Sequence, residues 1–257
     1  MRAPHDQHFL VDTEAVERIS GYADVSGRNV LEIGPGKGIL TESLLRKGAR
    51  VIAVELDGKL VPYLEKRFSG EVKSGNLTIV HGDAIRCEIP DFDLVVANLP
   101  YSASSKITFR LIGMGFEEAV LMYQKEFAMK MMALPGTSEC GRLSVMVQTY
   151  AKVMPLLELL PSSFSPKPKV KSYVVRLTLK DELTYPINNR ELYAIIVREL
   201  FSHRRKTIRK AVNISKNNIG IDESERILSC VSEDILKKRP QELTLKEFAE
   251  LSNTASG

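Results

Sequence analysis

Asn29-Val30-Leu31-Glu32-Ile33-Gly34-Pro35-Gly36-Lys37-Gly38 is a short apolar run followed at once by three glycines. The apolar run predicts a buried strand, and Thr41, Leu44 and Leu45 predict that a helix opens just behind it. Glycines between a strand and a helix let the backbone approach a ligand closely. Nucleotide-binding folds of several kinds carry such a loop, so the loop alone leaves the ligand open.

Strands and helices alternate on the C-terminal side of this loop. Further apolar runs, each separated by a helical pattern or a turn, predict strands at 50–55, 77–80, 93–97 and 119–123. This alternation predicts a parallel, doubly wound α/β sheet of the Rossmann-like kind. Two later runs at 153–160 and 172–179 are joined by a proline-rich loop, and they predict an antiparallel pair at an edge of the sheet.

The pattern becomes all-helical after Asp181, so we predict two domains, 1–182 and 183–257. Asn188, with Glu191 three positions later, resembles the capping box that begins a helix. The residues that follow Ser252 are predicted to form a disordered tail.

The bulk composition is that of a globular protein that works inside the cell. The 257 residues are 44% hydrophobic and 26% charged, with a net charge of +4 that permits a nucleic-acid partner without requiring one. Cys87, Cys140 and Cys230 are far apart, so a disulfide framework and a zinc site are both unfavoured. No apolar run is typical of a membrane span or a signal peptide, and we expect a cytoplasmic protein without a bound metal.

Two carboxylates lie at the ends of consecutive predicted strands behind the glycine loop. Glu55 can hold ribose hydroxyls, Asp83 can accept a hydrogen bond from an adenine amino group, and Ala84 offers a backbone N–H. The dinucleotide fingerprint is incomplete because Ile39 stands where its third glycine belongs, and no Gly-Lys-Ser/Thr phosphate loop occurs. An adenosine cofactor without a phosphate cradle is indicated, and S-adenosylmethionine fits best.

Asn98-Leu99-Pro100-Tyr101 follows the apolar run Val95-Val96-Ala97. Open α/β sheets place their ligands at this carboxyl end of a strand. Asn98 can donate and accept hydrogen bonds, Pro100 stiffens the turn, and Tyr101 offers a flat face. The set suits an exocyclic amine on an aromatic base. A strand that merely runs into a proline turn is the alternative.

At this point the chain resembles a known family, the ribosomal RNA adenine dimethyltransferases of the kasugamycin-resistance type. The glycine loop resembles motif I of S-adenosylmethionine-dependent methyltransferases. The other matching segments of the α/β part are Gln7-His8-Phe9-Leu10, Val54-Glu55-Leu56-Asp57, Gly82-Asp83-Ala84, Asn98-Leu99-Pro100-Tyr101, Gln124-Lys125-Glu126 and Gly141-Arg142-Leu143-Ser144. Near the proline-rich loop the matching residues are Phe164, Pro166, Pro168, Lys169, Val170 and Ser172. In the helical part the matching segments are Arg204-Arg205-Lys206-Thr207 and Arg239-Pro240.

The resemblance implies a role for each matching position. The catalytic residues would be Asn98, Leu99, Pro100 and Tyr101. The cofactor would be bound by His8, Leu10, Gly34, Gly36, Glu55, Asp83, Ala84 and Asn98. Many members of the family carry Asn where this chain has His8, and histidine can still hydrogen-bond. A surface residue on a mobile N-terminal arm is the alternative for His8.

The implied reaction is methyl transfer to N6 of adenosines, two adjacent ones near the 3′ end of small-subunit ribosomal RNA. The Asn98 side-chain oxygen and a nearby carbonyl, that of Leu99, would accept both N–H groups of the amine, while Tyr101 would stack on the base. Residues 1–182 would be the catalytic domain and 183–257 the RNA-binding domain. We expect a monomer that acts on ribosomal RNA or on a pre-ribosomal small subunit.

A cluster of basic residues in the helical part supports an RNA partner. Arg204, Arg205, Lys206, Arg209 and Lys210 are predicted around one helix, where residues four apart share a face. Lys167, Lys169 and Lys171 add positive charge near the proline-rich loop. A solvated helix face is the alternative to phosphate contact.

Other functions stay open at this point. A large-subunit RNA dimethylase is a near alternative, and so is a DNA adenine or protein glutamine methyltransferase, although those more often have proline in place of Leu99 and lack a helical tail. A noncatalytic RNA-binding factor in ribosome assembly belongs to a different class. The complete set of Asn98 and cofactor residues argues against it.

Overall fold

The computed structural model describes residues 8–257. Gln7, the first residue of the segment Gln7-His8-Phe9-Leu10, lies outside the described residues. The chain divides into two compact units. The first comprises 8–128 and Lys152–Leu179, and the second Met129–Ala151 and Lys180–Gly257. No helix within 8–257 combines the length and apolar character that crossing a bilayer requires.

The first unit is built on a seven-stranded sheet. Its strands are β2 (Asn29–Ile33), β3 (Arg50–Glu55), β4 (Leu77–His81), β5 (Leu94–Asn98), β6 (Glu118–Gln124), β7 (Ala151–Leu159) and β9 (Ser172–Leu179). They lie in the order β4-β3-β2-β5-β6-β9-β7. Neighbours from β4 to β6 are parallel, and β9 is antiparallel to β6. The doubly wound α/β expectation is confirmed, with the two late strands at one side and β7 outermost.

A separate two-stranded sheet lies outside the main one. β1 (Phe9–Leu10) pairs antiparallel with β8 (Phe164–Ser165), so that Phe9 lies opposite Ser165 and Leu10 opposite Phe164. Leu10 and Phe164 are both buried. The N-terminal segment is therefore held against the proline-rich loop at Phe9 and Leu10.

Helices cover the sheet and enclose an apolar core. Val30, Val96 and Val120 on three successive strands have no exposed surface, as expected where helices lie on both faces of a parallel sheet. The helices that begin in this unit are α1 (Thr13–Ser20), α2 (Ile39–Arg46), α3 (Leu60–Arg67), α4 (Ser69–Ser74), α5 (Ser104–Met114) and α6 (Lys125–Met132).

The second unit is helical. It contains the end of α6 and then α7 (Arg142–Tyr150), α8 (Arg190–Ser202), α9 (Ile208–Ile214), α10 (Lys216–Ile219), α11 (Ile221–Cys230), α12 (Glu233–Lys237) and α13 (Leu245–Ser256). Residues 129–151, which the sequence analysis placed with the catalytic part, cluster with these helices. The two-domain division at 182/183 stays a prediction.

Two details of the helical part differ from expectation. The predicted disordered tail is wrong, because α13 runs to Ser256 and buries Leu251, Ser252 and Ala255. The predicted cap Asn188 is also wrong, since Asn189 caps α8 by accepting a hydrogen bond from the backbone N–H of Leu192. The C-terminal residues are ordered because the buried face of α13 packs against the rest of the unit, which outweighs the usual fraying of a chain terminus.

The order of the strands determines where a ligand can bind. β3 lies on one side of β2 and β5 on the other, so the chain order reverses at the carboxyl ends of β2 and β5. A crevice at such a switch point is the usual ligand site of an open α/β sheet. Both the glycine loop and Asn98 lie at this point.

Candidate active site

The glycine loop passes from β2 to α2 with three left-handed backbone conformations. The φ angles are +69° at Gly34, +58° at Gly36 and +81° at Gly38, a region that other residues enter only with strain. A Cβ on Gly36 would lie 2.7 Å from Cδ1 of Phe9, and one on Gly34 would lie 3.8 Å from the Asn98 carbonyl oxygen. The loop therefore packs tightly under the N-terminal segment and beside the end of β5.

Glu55, the last residue of β3, joins the glycine loop to its own strand. It is 5% exposed, and its carboxylate accepts hydrogen bonds from the backbone N–H of Gly36 (3.2 Å) and of Asp57 (2.8 Å). Burial raises the pKa of Glu55, and these two bonds act against that rise. A carboxylate has about four acceptor positions, so these bonds leave room for ribose hydroxyls. The next residue, Leu56, is 69% exposed.

Asp83 and Ala84 lie in the turn that follows β4. The side chain of Asp83 accepts a hydrogen bond from the backbone N–H of Ile85 (2.9 Å). The turn is tied to β3, because the backbone N–H of Gly82 donates to the Glu55 carbonyl (2.9 Å). The two carboxylates expected to hold the cofactor are thus on adjoining strand ends.

Arg110 on α5 clamps the same turn. Its guanidinium donates to the carbonyl of Ala84 (2.7 Å) and to the carbonyl of Cys87. These bonds hold the carbonyls of Ala84 and Cys87, so Arg110 braces the chain directly after Asp83. Sequence reasoning missed this contact, since Arg110 belongs to none of the motifs.

Asn98 ends β5, and its amide orientation is set by the N-terminal segment. Its Nδ2 donates to the carbonyl oxygen of His8 (3.2 Å), which leaves Oδ1 as the acceptor end of the amide. Leu99 is 1% exposed, so its side chain belongs to the core while its backbone lines the turn. The Pro100 carbonyl accepts hydrogen bonds from the Ser104 hydroxyl and the Ala103 N–H, both at 3.1 Å.

Tyr101 begins a short 3₁₀ turn and is held at its hydroxyl. Its Oη lies 2.7 Å from Oγ of Ser172, with either hydroxyl able to donate. The His8 ring lies beside it, with centroids 5.6 Å apart and a 33° angle between the planes. His8 Nδ1 is also 2.8 Å from the Pro166 carbonyl.

The structure thus brings together most residues that the sequence singled out in the α/β part. Gly34, Gly36, Glu55, His8 and Asn98 are linked by the contacts above, and Tyr101 joins them through His8. Asp83 and Ala84 connect through the backbone of Gly82. Leu10 is the exception, because its side chain packs into the core.

Glu32 is a buried acid beside the glycine loop that belongs to none of the expected site residues. It is 1% exposed, accepts a hydrogen bond from the Thr41 hydroxyl (2.6 Å), and has its pKa raised to about 8 chiefly by burial. The nearby Glu55 adds to this rise. A glutamate inside an apolar strand was the visible signal for this residue.

The basic cluster does not lie along one helix. Arg204, Arg205 and Lys206 lie in the turn between α8 and α9, and α9 begins only at Ile208. The expected sharing of a helix face by Arg205 with Arg209 and by Lys206 with Lys210 is therefore wrong. The break occurs because Thr207, in extended backbone, caps α9 by accepting from the N–H of Lys210.

The five basic side chains differ in how they are engaged. Arg205, Lys206 and Lys210 are exposed. Arg204 is also exposed and donates to the Ser138 carbonyl (3.0 Å), whereas Arg209 forms an ion pair with Glu233. Across residues 8–257, no group of three or more His, Cys, Asp and Glu side chains has the arrangement of a metal site.

A family model and two relatives match this chain over almost its whole length. A family model described as "Ribosomal RNA adenine dimethylase" matches residues 1–253. The chain is 50% identical over 256 residues to a "Probable ribosomal RNA small subunit methyltransferase A" of Methanospirillum hungatei, covering 100% of both chains. It is 43% identical over 254 residues to a protein of the same description from Halobacterium salinarum, covering 98% of this chain and 89% of that one.

Two solved structures are also similar to this chain over almost its whole length. A dimethyladenosine transferase from Plasmodium falciparum is similar with a TM-score of 0.78 and 30% identity, covering 95% of this chain and 96% of that one. The 23S rRNA methyltransferase ErmE is similar with a TM-score of 0.67 and 25% identity, covering 95% and 99%.

Proposed function

Since this chain belongs to the ribosomal RNA adenine dimethylase family, we propose that it transfers methyl groups from S-adenosylmethionine to N6 of adenosines in small-subunit ribosomal RNA. We place the targets at two adjacent adenosines near the 3′ end. The observation that carries this proposal is the Asn98 amide, whose Nδ2 is bound to His8 beside the glycine loop. Its Oδ1 is thereby the end that can accept a hydrogen bond from an amine.

The residues present fit S-adenosylmethionine. The glycine loop brings backbone without side chains beside the carbonyl of Asn98, the Glu55 carboxylate suits ribose hydroxyls, and Asp83 with the Ala84 N–H suits the edge of an adenine ring. The exposed side chain of Leu56 suits the face of that ring. When bound, the cofactor supplies a methyl group already activated on a sulfonium centre.

The chain's own residues prepare the amine. The lone pair of an adenine N6 amine is delocalised into the ring, which makes the amine a poor nucleophile. Oδ1 of Asn98 and the carbonyl of Leu99 accept hydrogen bonds from the two N–H groups of the amine. These bonds localise the lone pair on the nitrogen and direct it towards the methyl group. Positioning and electrostatics then supply most of the rate enhancement.

Tyr101 receives the base. A base inside a helix cannot reach such a site, so the target nucleotide leaves its stack and is held on an aromatic face. The Pro100 carbonyl is engaged by Ser104 and Ala103, which keeps the turn that carries Tyr101 rigid. Each transfer releases one proton from the nitrogen to solvent, and for the second transfer the monomethylated amine, which keeps one N–H, returns in a new rotamer.

The helical part supplies the RNA contacts in this proposal. The four cations Arg204, Arg205, Lys206 and Lys210 are exposed and available to phosphates, while Arg209 is partly neutralised by Glu233. We assign 1–182 to catalysis and 183–257 to RNA binding. The protein acts as a cytoplasmic monomer on ribosomal RNA or on a pre-ribosomal small subunit.

The alternatives are not favoured. Two relatives matched over nearly the whole chain are described as small-subunit enzymes, which argues against a large-subunit target. The complete set of site residues argues against a noncatalytic assembly factor.

The test is methyl transfer from labelled S-adenosylmethionine to small ribosomal subunits that lack adenine dimethylation, followed by mapping of the product. We expect dimethyladenosine in the small-subunit RNA with the wild-type chain and none with Asn98→Ala. Asn76→Ala, an exposed amide elsewhere in the chain, is the matched control and should keep wild-type turnover. Product in large-subunit RNA, or an active Asn98→Ala variant, would overturn the assignment.

A further inference from the structure

We infer that Ser172 is a positioning residue for methyl transfer, acting by holding the Tyr101 ring at the orientation in which it receives the target base. This inference rests on the proposed function, in which Tyr101 stacks on that base. It adds a residue that none of the assignments above includes.

Ser172 is a rigid anchor. It is the first residue of β9, lies opposite Gln124 on β6 in the sheet register, and has no exposed surface. The preceding residue, Lys171, accepts a hydrogen bond through its carbonyl from the N–H of Lys125 (2.9 Å). The backbone on both sides of the serine hydroxyl is therefore fixed by strand pairing.

The backbone turn that carries Tyr101 is held by hydrogen bonds within the turn and not by strand pairing. Tyr101 opens a 3₁₀ turn beyond the end of β5, where no strand ladder holds the backbone, and its ring is partly exposed. The 2.7 Å contact with Oγ of Ser172 fastens the far end of this ring to the sheet. A tyrosine ring held at both its Cα and its hydroxyl has little freedom left about its side-chain torsions.

The hydrogen bond from Tyr101 to Ser172 matters more for binding of the target base than for the stability of the fold. A stacking face that is already oriented loses less conformational entropy when the base arrives, and the amine then meets Asn98 in register. Without the Ser172 hydroxyl the ring would still stack, but in several orientations. The loss should therefore appear in kcat, with the affinity for S-adenosylmethionine unchanged.

A double-mutant cycle tests this on the full chain with small subunits that lack adenine dimethylation. Ser172→Ala and Tyr101→Phe should each lower kcat about three- to tenfold, the range expected for one hydrogen bond. Because both remove the same bond, the double variant should lose no more than either single one. Wild-type kcat in Ser172→Ala, or losses that multiply in the double variant, would overturn the inference.

Ser20→Ala is the matched control. Ser20 is also a fully buried serine, and its hydroxyl lies 2.8 Å from that of Ser43 in a pair outside the site. It should lower the melting temperature by an amount similar to Ser172→Ala while leaving kcat unchanged. An equal loss of kcat in both variants would mean that Ser172 acts only through stability.

A second measurement needs no RNA. With 3-fluorotyrosine at position 101, the fluorine resonance should be shifted from that of the free amino acid and should move towards it in Ser172→Ala. An unchanged resonance would overturn the inference even if the wild-type chain methylates RNA. Conversely, a wild-type chain that methylates nothing would overturn the proposed function and leave this measurement valid.

Discussion

At the scale of single residues, Gly36 shows that close packing and backbone conformation act together. Its φ of +58° and the 2.7 Å approach of a Cβ to Phe9 are separate obstacles to any side chain. An αL conformation costs a non-glycine residue roughly 1–2 kcal/mol. The contact with Phe9 adds to this cost and displaces the segment that also orients Asn98.

We therefore predict that Gly36→Ala weakens S-adenosylmethionine binding at least about tenfold, as a loss near 1.4 kcal/mol would. Gly27→Ala is the control, because Gly27 has a similar φ of +70° with open space around it. It should reduce stability slightly and leave cofactor affinity intact. Titration calorimetry on both variants measures the difference, and equal affinities would contradict the prediction.

Glu32 makes stability depend on pH. The folded state keeps this proton up to about pH 8, whereas the unfolded chain loses it near the ordinary value of 4.5. Between these values folding takes up a proton, so the free energy of unfolding falls as pH rises, by up to about 1.4 kcal/mol per pH unit. Above about pH 8 the decline ends because both states are ionised.

Glu32→Gln removes this dependence. We expect the variant to gain stability relative to the wild type as the pH rises from 5 to 8, and to hold a constant advantage above that. Denaturant unfolding without cofactor at pH 5, 7 and 9 measures it. A stability difference that does not change with pH would show that Glu32 is already ionised in the folded chain.

At the scale of elements, α5 links the two halves of the candidate site. It begins just after the turn that carries Tyr101, and its Arg110 holds the turn that carries Asp83. One helix thus connects the base-binding motif with the cofactor-binding motif. The connection depends on the hydrogen bonds from Arg110 to the carbonyls of Ala84 and Cys87, which no sequence motif predicts.

We predict that Arg110→Ala weakens cofactor binding several-fold and leaves kcat at saturating cofactor close to the wild-type value. Loss of the clamp frees the Asp83 turn without touching Asn98. Lys106→Ala, an exposed cation on the same helix, is the control and should do neither. A kcat loss at saturating cofactor would instead place the effect of Arg110 on the transfer itself.

At the scale of the whole molecule, the small net charge of +4 conceals an uneven distribution. The exposed turn of Arg204, Arg205 and Lys206 concentrates positive charge in the helical unit. Each phosphate contact releases counterions, so affinity for RNA should fall steeply with salt.

The prediction concerns Arg205 and Lys206, because Arg204 also donates to the Ser138 carbonyl. Replacing both by alanine should reduce the slope of log K against log salt by about 2, one for each lost phosphate contact. Lys66→Ala with Lys73→Ala removes the same charge from exposed positions on α3 and α4 and should leave the slope unchanged. Equal slopes for the two double variants would show that Arg205 and Lys206 form a solvated surface and do not contact phosphates.

The sequence by itself determined the fold class, the order of the strands along the chain and the family, because apolar periodicity, glycine placement and motif order are local properties. The bounds of β3 were predicted to the residue, since a buried strand between polar residues is unambiguous. Site roles that follow from motifs stay predictions.

The tertiary structure alone decided the rest, because those features depend on contacts between distant residues. The bond from Asn98 to His8, the clamp from Arg110 and the hydroxyl pair of Tyr101 and Ser172 each join segments more than 20 positions apart. Helix packing ordered the C-terminal residues against local expectation, and the cap at Thr207 left Arg204, Arg205 and Lys206 in a turn. Local pattern determines which elements form, and packing determines which side chains meet.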